Sequence, residues 1–166
     1  MTRTMPDQWK NVLLEAIRRA ATNLPEDVLA ALRRARQAET DDPRAADMLG
    51  TMLENVSLAR DASTPVCQDT GTLTFFIQAP RHADLAALRT AVRAAVSEAT
   101  VRGYLRRNTL DALTGRSRDD NLAPGCPVIH FEPRERDDLE VRLLLKGGGC
   151  ENMSRQYSLP DAELEA

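Results

Sequence analysis

The sequence predicts a mixed α/β domain in which N-terminal helices precede a small sheet. Apolar residues recur at helical spacing through residues 1–62. Short runs rich in β-branched and aromatic residues follow, separated by one more helical stretch. Hydrophobic residues make up 42% of the 166 and charged residues 28%, which is typical of a globular protein with a core. We therefore expect a helical part over residues 1–62 and an α/β part over residues 63–166.

The first two helices are predicted from their apolar faces and their start signals. Asp7 is the expected N-cap of the first helix, and Pro25 opens the second because proline is favoured at the first helical position. The apolar face of the first helix comprises Trp9, Val12, Leu13, Ala16, Ile17 and Ala20. The face of the second comprises Val28, Leu29, Leu32 and Ala35.

Two more helices are predicted in the same way. The pair Asp42-Pro43 starts the third helix, and Asp84 caps the fourth. The third carries Leu49, Met52, Leu53, Val56 and Ala59 on its apolar face. The fourth carries Leu85, Leu88, Val92, Val96 and Ala99.

Three strands are predicted around the fourth helix. Leu73 to Ala79 is a β-branched and aromatic run, and Val128 to Glu132 and Leu139 to Lys146 follow later. The polar segment Arg134 to Asp138 predicts a hairpin that pairs the last two strands. The stretch from Asn108 to Gly125 is polar and irregular, so no element is predicted there.

Charge and hydropathy argue against several classes of protein. The net charge of −3 at pH 7 disfavours a nucleic-acid binder, which would need a basic surface. No apolar run approaches the roughly 20 residues that cross a bilayer. Residues 1–10 lack the apolar core of a secretory signal. We therefore expect a cytoplasmic protein that binds neither nucleic acid nor membrane.

The three cysteines, Cys67, Cys126 and Cys150, do not predict a disulfide framework. Their number is odd, and the expected compartment is reducing. A metal site made from all three is disfavoured because their spacing matches no close-set ligand motif. For each cysteine, burial as a small apolar residue is the alternative.

The segment Cys67-Gln68-Asp69-Thr70-Gly71 is the first candidate for chemistry. It lies between a predicted helix and a predicted strand, where side chains can converge on a ligand. A thiolate can bind a metal or cluster, an amide can donate to a carboxylate, and a carboxylate can exchange a proton. The structural alternative is a turn in which Asp69 and Thr70 cap the backbone and Cys67 is buried.

Two further segments could bind an anion. After Lys146 come three glycines and Cys150, and glycines let backbone amides approach a ligand closely. The alternative is a linker or a turn that ends the strand. Arg106 follows the fourth helix and could bind a carboxylate through both guanidinium nitrogens. Its alternative is a solvated cation at a helix end.

Together these segments resemble one family, the iron–sulfur hydro-lyases, which comprise class I fumarases and L(+)-tartrate dehydratases. The segment Cys67-Gln68-Asp69-Thr70-Gly71 is similar to the signature of the family's α-type catalytic region. The strand from Pro127 to Glu132 and the glycine loop from Lys146 to Asn152 follow in the family's order. The resemblance identifies residues 1–166 as the N-terminal part of that α-type domain.

The resemblance implies a cofactor, a reaction and a set of site residues. In that family a [4Fe-4S] cluster is held by three cysteines, and its open iron binds substrate during reversible hydration of a small dicarboxylic acid. Cys67 corresponds to the first cluster ligand. Gln68 and Asp69 correspond to substrate contacts, with Asp69 close to the acid–base step. Arg106 corresponds to a carboxylate-binding arginine, and Gly149 to a glycine whose backbone faces the substrate.

The chain also departs from the family's pattern. The second and third cluster cysteines of the family would lie beyond Ala166, and neither Cys126 nor Cys150 stands where a ligand is expected. The sequence therefore predicts a partial or truncated α subunit, inactive by itself, whose partners are a β-type subunit, further copies of the chain and a small dicarboxylate. The alternative is a non-catalytic paralogue that acts as an assembly partner or binds a small acid.

Overall fold

The computed structural model describes residues 5–111 and 113–147. Its elements are α1 (Met5–Thr22), α2 (Glu26–Ala38), α3 (Pro43–Ala62), β1 (Thr72–Pro80), α4 (Leu85–Val101), β2 (Val128–Arg134) and β3 (Glu140–Lys146). Helices therefore come first and a mixed sheet follows, which confirms the predicted fold class. None of the helices in these two ranges is long and apolar enough to span a membrane.

The strand β1 is the centre of a three-stranded sheet in the order β2-β1-β3. It pairs with β2 in parallel and with β3 antiparallel. Its alternate side chains Leu73, Phe75 and Ile77 are almost completely buried, and the neighbouring strands add Ile129, Phe131, Val141, Leu143 and Leu145 to the same cluster. This sheet face packs with α1 and α4 to form the core, as strand alternation requires.

The predicted hairpin between the last two strands is wrong. Because β1 lies between β2 and β3, those two strands do not pair, and the segment 135–139 passes across the end of β1. The physical reason is burial: β1 carries the most deeply buried side chains of the sheet, so it takes the central position. A short polar connection alone does not determine which strand becomes the neighbour.

The predicted helix starts are partly correct. Asp84 accepts hydrogen bonds from the backbone nitrogens of Ala86 and Ala87 at 3.0 and 2.9 Å. Asp42 caps α3, and Pro43 is its first residue. Pro25, in contrast, is the N-cap of α2 rather than its first helical residue. Asp7 is not a cap either, since α1 already begins at Met5.

The sheet brings three loops to one of its ends. β1 and β2 both start at this end because they are parallel, whereas the antiparallel β3 finishes there. In the register, Thr72 lies opposite Lys146, and Thr74 lies opposite Val128. The loop before β1, the irregular stretch before β2 and the start of the glycine loop after β3 therefore meet in space.

Candidate functional site

The loop before β1 is fixed to the helices at its start and exposed further on. Helix α3 is followed by its C-cap Ser63, whose φ of 51° is left-handed. The backbone nitrogen of Val66 donates to the Ala21 carbonyl at 3.0 Å, and Asn55 Nδ2 donates to the Val66 carbonyl at 3.0 Å. Cys67 follows directly and is exposed, so the alternative that its thiol is buried does not hold.

Asp69 accepts hydrogen bonds from different parts of the chain, among them its own turn and the segment after α4. Its Oδ1 accepts from the backbone nitrogen of Gly71 at 2.8 Å and from Asn108 Nδ2 at 3.1 Å. Its Oδ2 lies against the first glycine after β3, 3.3 Å from where a Cβ of Gly147 would stand. Asp69 thus caps its own turn, as the structural alternative proposes, but it also contacts the two other candidate segments.

Gly71 lets the loop approach the end of β3. Its φ is +71°, and a Cβ at this position would lie 2.1 Å from the Lys146 carbonyl oxygen. No other residue type fits here without moving one of the two backbones. The first motif and the start of the glycine loop, which the sequence analysis singled out separately, are therefore in direct contact.

Arg106 lies beside this loop and is fastened through its backbone. Its nitrogen donates to Thr70 Oγ1 at 3.3 Å, and its carbonyl accepts from Asn121 Nδ2 at 2.7 Å. The side chain is exposed and has no ion-pair partner among residues 5–111 and 113–147. Since α4 ends at Val101, Arg106 is not the cation of a helix end, and its guanidinium can meet an anion.

Asn121 is a structural residue that sequence reasoning missed. It is 2% exposed and has a left-handed φ of 54°. Its Nδ2 also donates to Thr100 Oγ1 at 3.0 Å, and its Oδ1 accepts from the Thr109 nitrogen at 3.1 Å. This side chain ties the segment 106–109 to the last turn of α4. The polar stretch in which it lies was predicted only as irregular, and nothing in its spacing indicates this role.

An open cleft of about 640 Å³ lies between these loops. Its lining includes Asp69, Gly71, Asn108, Thr109 and Cys126. Cys126 is half-buried, with Sγ donating to the Asn121 carbonyl at 3.5 Å and lying 3.6 Å from Thr109 Oγ1. Its contacts are those of a residue that packs the irregular stretch together.

The described part of the chain contains no complete metal-binding group. Within it, no three His, Cys, Asp or Glu side chains gather closely enough to hold a metal ion. Gln68 is exposed, and its carbonyl accepts from Asn108 Nδ2 at 3.3 Å. The predicted substrate contact Gly149, and also Cys150, lie outside the described residues. The structure thus brings together Cys67, Gln68, Asp69 and the backbone of Arg106 at one end of the sheet.

The chain is similar in sequence to proteins of one family. The family model described as fumarate hydratase (Fumerase) matches residues 10–166. A Geobacillus stearothermophilus protein named "Putative fumarate hydratase class I" is 44% identical over 153 residues, which cover 92% of this chain and 30% of that protein. The L(+)-tartrate dehydratase subunit alpha of Escherichia coli K12 is 32% identical over 145 residues, which cover 86% of this chain and 48% of that subunit.

These similarities extend over nearly the whole chain. The chain spans less than half the length of each of these two curated relatives. The family resemblance drawn from the loop before β1 and the glycine loop is confirmed. The protein belongs to the fumarate hydratase (Fumerase) family.

Proposed function

We propose that this chain is the α-type part of a [4Fe-4S]-dependent hydro-lyase that adds water to, or removes it from, a small dicarboxylic acid. One observation carries the proposal: an exposed thiol, Cys67, precedes by two residues a carboxylate, Asp69, that lines a cleft and is held there by two donors. Membership of the fumarate hydratase family supports this chemistry.

The cluster would be bound in part by this chain. Cys67 is an exposed thiol at the site and fits one corner of a [4Fe-4S] cluster, which usually takes three or four thiolates. The remaining thiolates would come from outside the described residues, since no group of three ligands lies within them. When bound, the cluster supplies a Lewis acid for the substrate's hydroxyl and carboxylate oxygens.

The residues of this chain would bind and orient the acid. The exposed guanidinium of Arg106 can hold a carboxylate through two parallel hydrogen bonds, and the Gln68 amide can donate to a second oxygen. Asp69 would exchange a proton beside a carboxylate of the substrate, which requires its oxygen to lie within hydrogen-bond reach of that proton. Gly149 would contribute a backbone nitrogen from the glycine loop.

We also propose two kinds of protein partner. The E. coli relative is named as an alpha subunit, which supports assembly of this chain with a β-type subunit. Further copies of the chain would complete a homo-oligomer, in a cytoplasmic enzyme. The acid could be fumarate, tartrate or a related compound that differs by one small group.

The test is anaerobic reconstitution of the chain, assembled with the polypeptide that completes the enzyme, using iron and sulfide. Cys67→Ser should abolish most of the visible cluster absorbance and the hydration of fumarate or dehydration of tartrate. Cys126→Ser is the matched control, because its thiol is engaged by Asn121 and Thr109. A Cys67→Ser enzyme with unchanged absorbance and turnover would refute the assignment. Dicarboxylate binding without any cluster would favour the non-catalytic paralogue.

A further inference from the structure

The Asn108 side chain joins the loop before β1 to the segment after α4, alongside the bond between Thr70 and the Arg106 nitrogen. Its Nδ2 donates to Asp69 Oδ1 at 3.1 Å and to the Gln68 carbonyl at 3.3 Å. Both acceptors belong to the proposed substrate-binding residues. One amide group therefore contacts the carboxylate of Asp69 and also the backbone immediately before it.

The position of Asn108 is itself fixed by the core. Asn121 donates to the Arg106 carbonyl on one side of Asn108 and accepts from the Thr109 nitrogen on the other. Asn121 is 2% exposed and is hydrogen-bonded to Thr100 in α4, so its own position is fixed by the core. The backbone around Asn108 is therefore held in place relative to α4. The Asn108 amide in turn contacts the exposed Asp69 carboxylate.

We propose that Asn108 is a positioning residue that fixes the orientation of the Asp69 carboxylate in the cleft. The Gly71 nitrogen contributes one hydrogen bond to Oδ1. The Asn108 amide is a second donor to the same oxygen, so it restrains rotation of the carboxylate and contributes to the direction of Oδ2. This inference rests on the proposed role of Asp69, because orientation affects turnover only if that carboxylate takes part in the reaction.

The kinetic test uses the assembled enzyme. A displacement of about 1 Å at a reacting group can cost about a hundredfold in rate. Asn108→Ala should therefore lower kcat by about ten- to a hundredfold while changing KM by less than about threefold. Asn108→Asp keeps the shape of the side chain but has no N–H to donate, so it should be at least as harmful. The added negative charge beside Asp69 contributes to that loss, and unchanged turnover in Asn108→Asp would overturn the proposal.

A double-mutant cycle tests whether Asn108 acts through Asp69. In an Asp69→Asn background, Asn108→Ala should cause no further loss of turnover. Asn55→Ala is the matched control, since Asn55 also donates to this loop, at Val66, but does not contact the carboxylate. Its effect should multiply with that of Asp69→Asn. Multiplicative losses for Asn108 as well would contradict the proposal.

A measurement without activity separates this inference from the proposed function. In the ¹⁵N-labelled 166-residue chain, the Asn108 side-chain amide signals are assigned by their loss in Asn108→Asp. Asp69→Ala should shift these signals, and Asn55→Ala should not. Unshifted signals in Asp69→Ala would overturn the positioning contact. Shifted signals together with full turnover in Asp69→Asn would keep the contact and refute the role proposed for Asp69.

Discussion

At the scale of single residues, the site depends on side chains that are small or precisely bonded. Gly71 permits the backbone of its loop to contact the end of β3. The Asn121 side chain forms hydrogen bonds with the backbone of the segment 106–109. Gly71 shares the turn of Asp69, and Asn121 binds the carbonyl of Arg106. These two residues therefore help to determine the positions of Asp69 and Arg106.

Gly71→Ala should destabilise the protein by at least about 2 kcal/mol, because a left-handed backbone and a severe clash each cost about 1 to 3 kcal/mol. The added Cβ would lie 2.1 Å from the Lys146 carbonyl oxygen. Chemical denaturation measures the loss. Gly103→Ala is the matched control: its φ is +77°, but nothing lies within 4 Å of the added atom. Equal losses of stability in both variants would show that the close contact between Gly71 and β3 makes no contribution beyond that of the left-handed backbone.

At the scale of secondary-structure elements, local patterns predicted the helices and strands well. The caps at Asp42 and Asp84 and all three strands could be found from the sequence because their causes are local. The pairing of the strands could not, since β1 was placed between β2 and β3 by burial of Phe75 and its neighbours.

The same division separates the parts of the site. Cys67, Gln68 and Asp69 could be proposed as candidate site residues because three polar or ionisable side chains are adjacent in the sequence. Asn108 and Asn121 could not, because their partners are far away in the sequence and asparagine is common in any polar stretch. The sequence alone was therefore enough to propose the candidate reactive groups. The side chains that orient them could be recognised only once the three-dimensional structure was known.

Helix α1 carries an ion-paired carboxyl whose effect on stability should depend on pH. Hydrogen bonds from Arg18 and then Arg19 lower the pKa of Glu15 from 4.5 to about 2. A carboxyl with a lowered pKa in the folded state stabilises that state above pH 4.5, and this contribution is lost as the pH falls towards about 2. Glu15 is partly exposed, so solvent screening keeps the effect small.

Glu15→Gln should therefore lower the urea midpoint at neutral pH by a small amount, and the difference from the unmodified protein should shrink steadily below pH 4.5. In an Arg18→Ala background the same substitution should have less effect, because Arg18 is the main cause of the shift. A difference that stays constant down to pH 2 would contradict the ion-pair explanation.

At the scale of the whole molecule, the mixed sheet brings three separate chain segments together at one of its ends, where the candidate site lies. The parallel pair and the antiparallel pair share β1, so two strand starts and one strand end lie together. An all-antiparallel meander in chain order would have put the start of β2 at the opposite end from that of β1. The mixed arrangement is therefore what brings the stretch holding Asn108 to Cys67 and Asp69.

The 166-residue chain alone should bind no stable cluster. Cys67 is one thiol, and a [4Fe-4S] cluster usually requires three or four. Reconstitution of the isolated chain with iron and sulfide should give weak absorbance that neither Cys126→Ser nor Cys150→Ser changes. A stoichiometric cluster that is lost in both variants would mean that these two cysteines complete the site.

The contact between Gly71 and Lys146 also constrains biosynthesis. The loop that holds Cys67 emerges from the ribosome early, but its final partner is the last residue of β3. Contacts between distant parts of a chain form slowly, because a long intervening segment must first be ordered. The loop can therefore take its final shape only after β3 has been synthesised and paired. Until then, the Cys67 thiol and the Asp69 carboxylate lack the arrangement that they have in the folded structure.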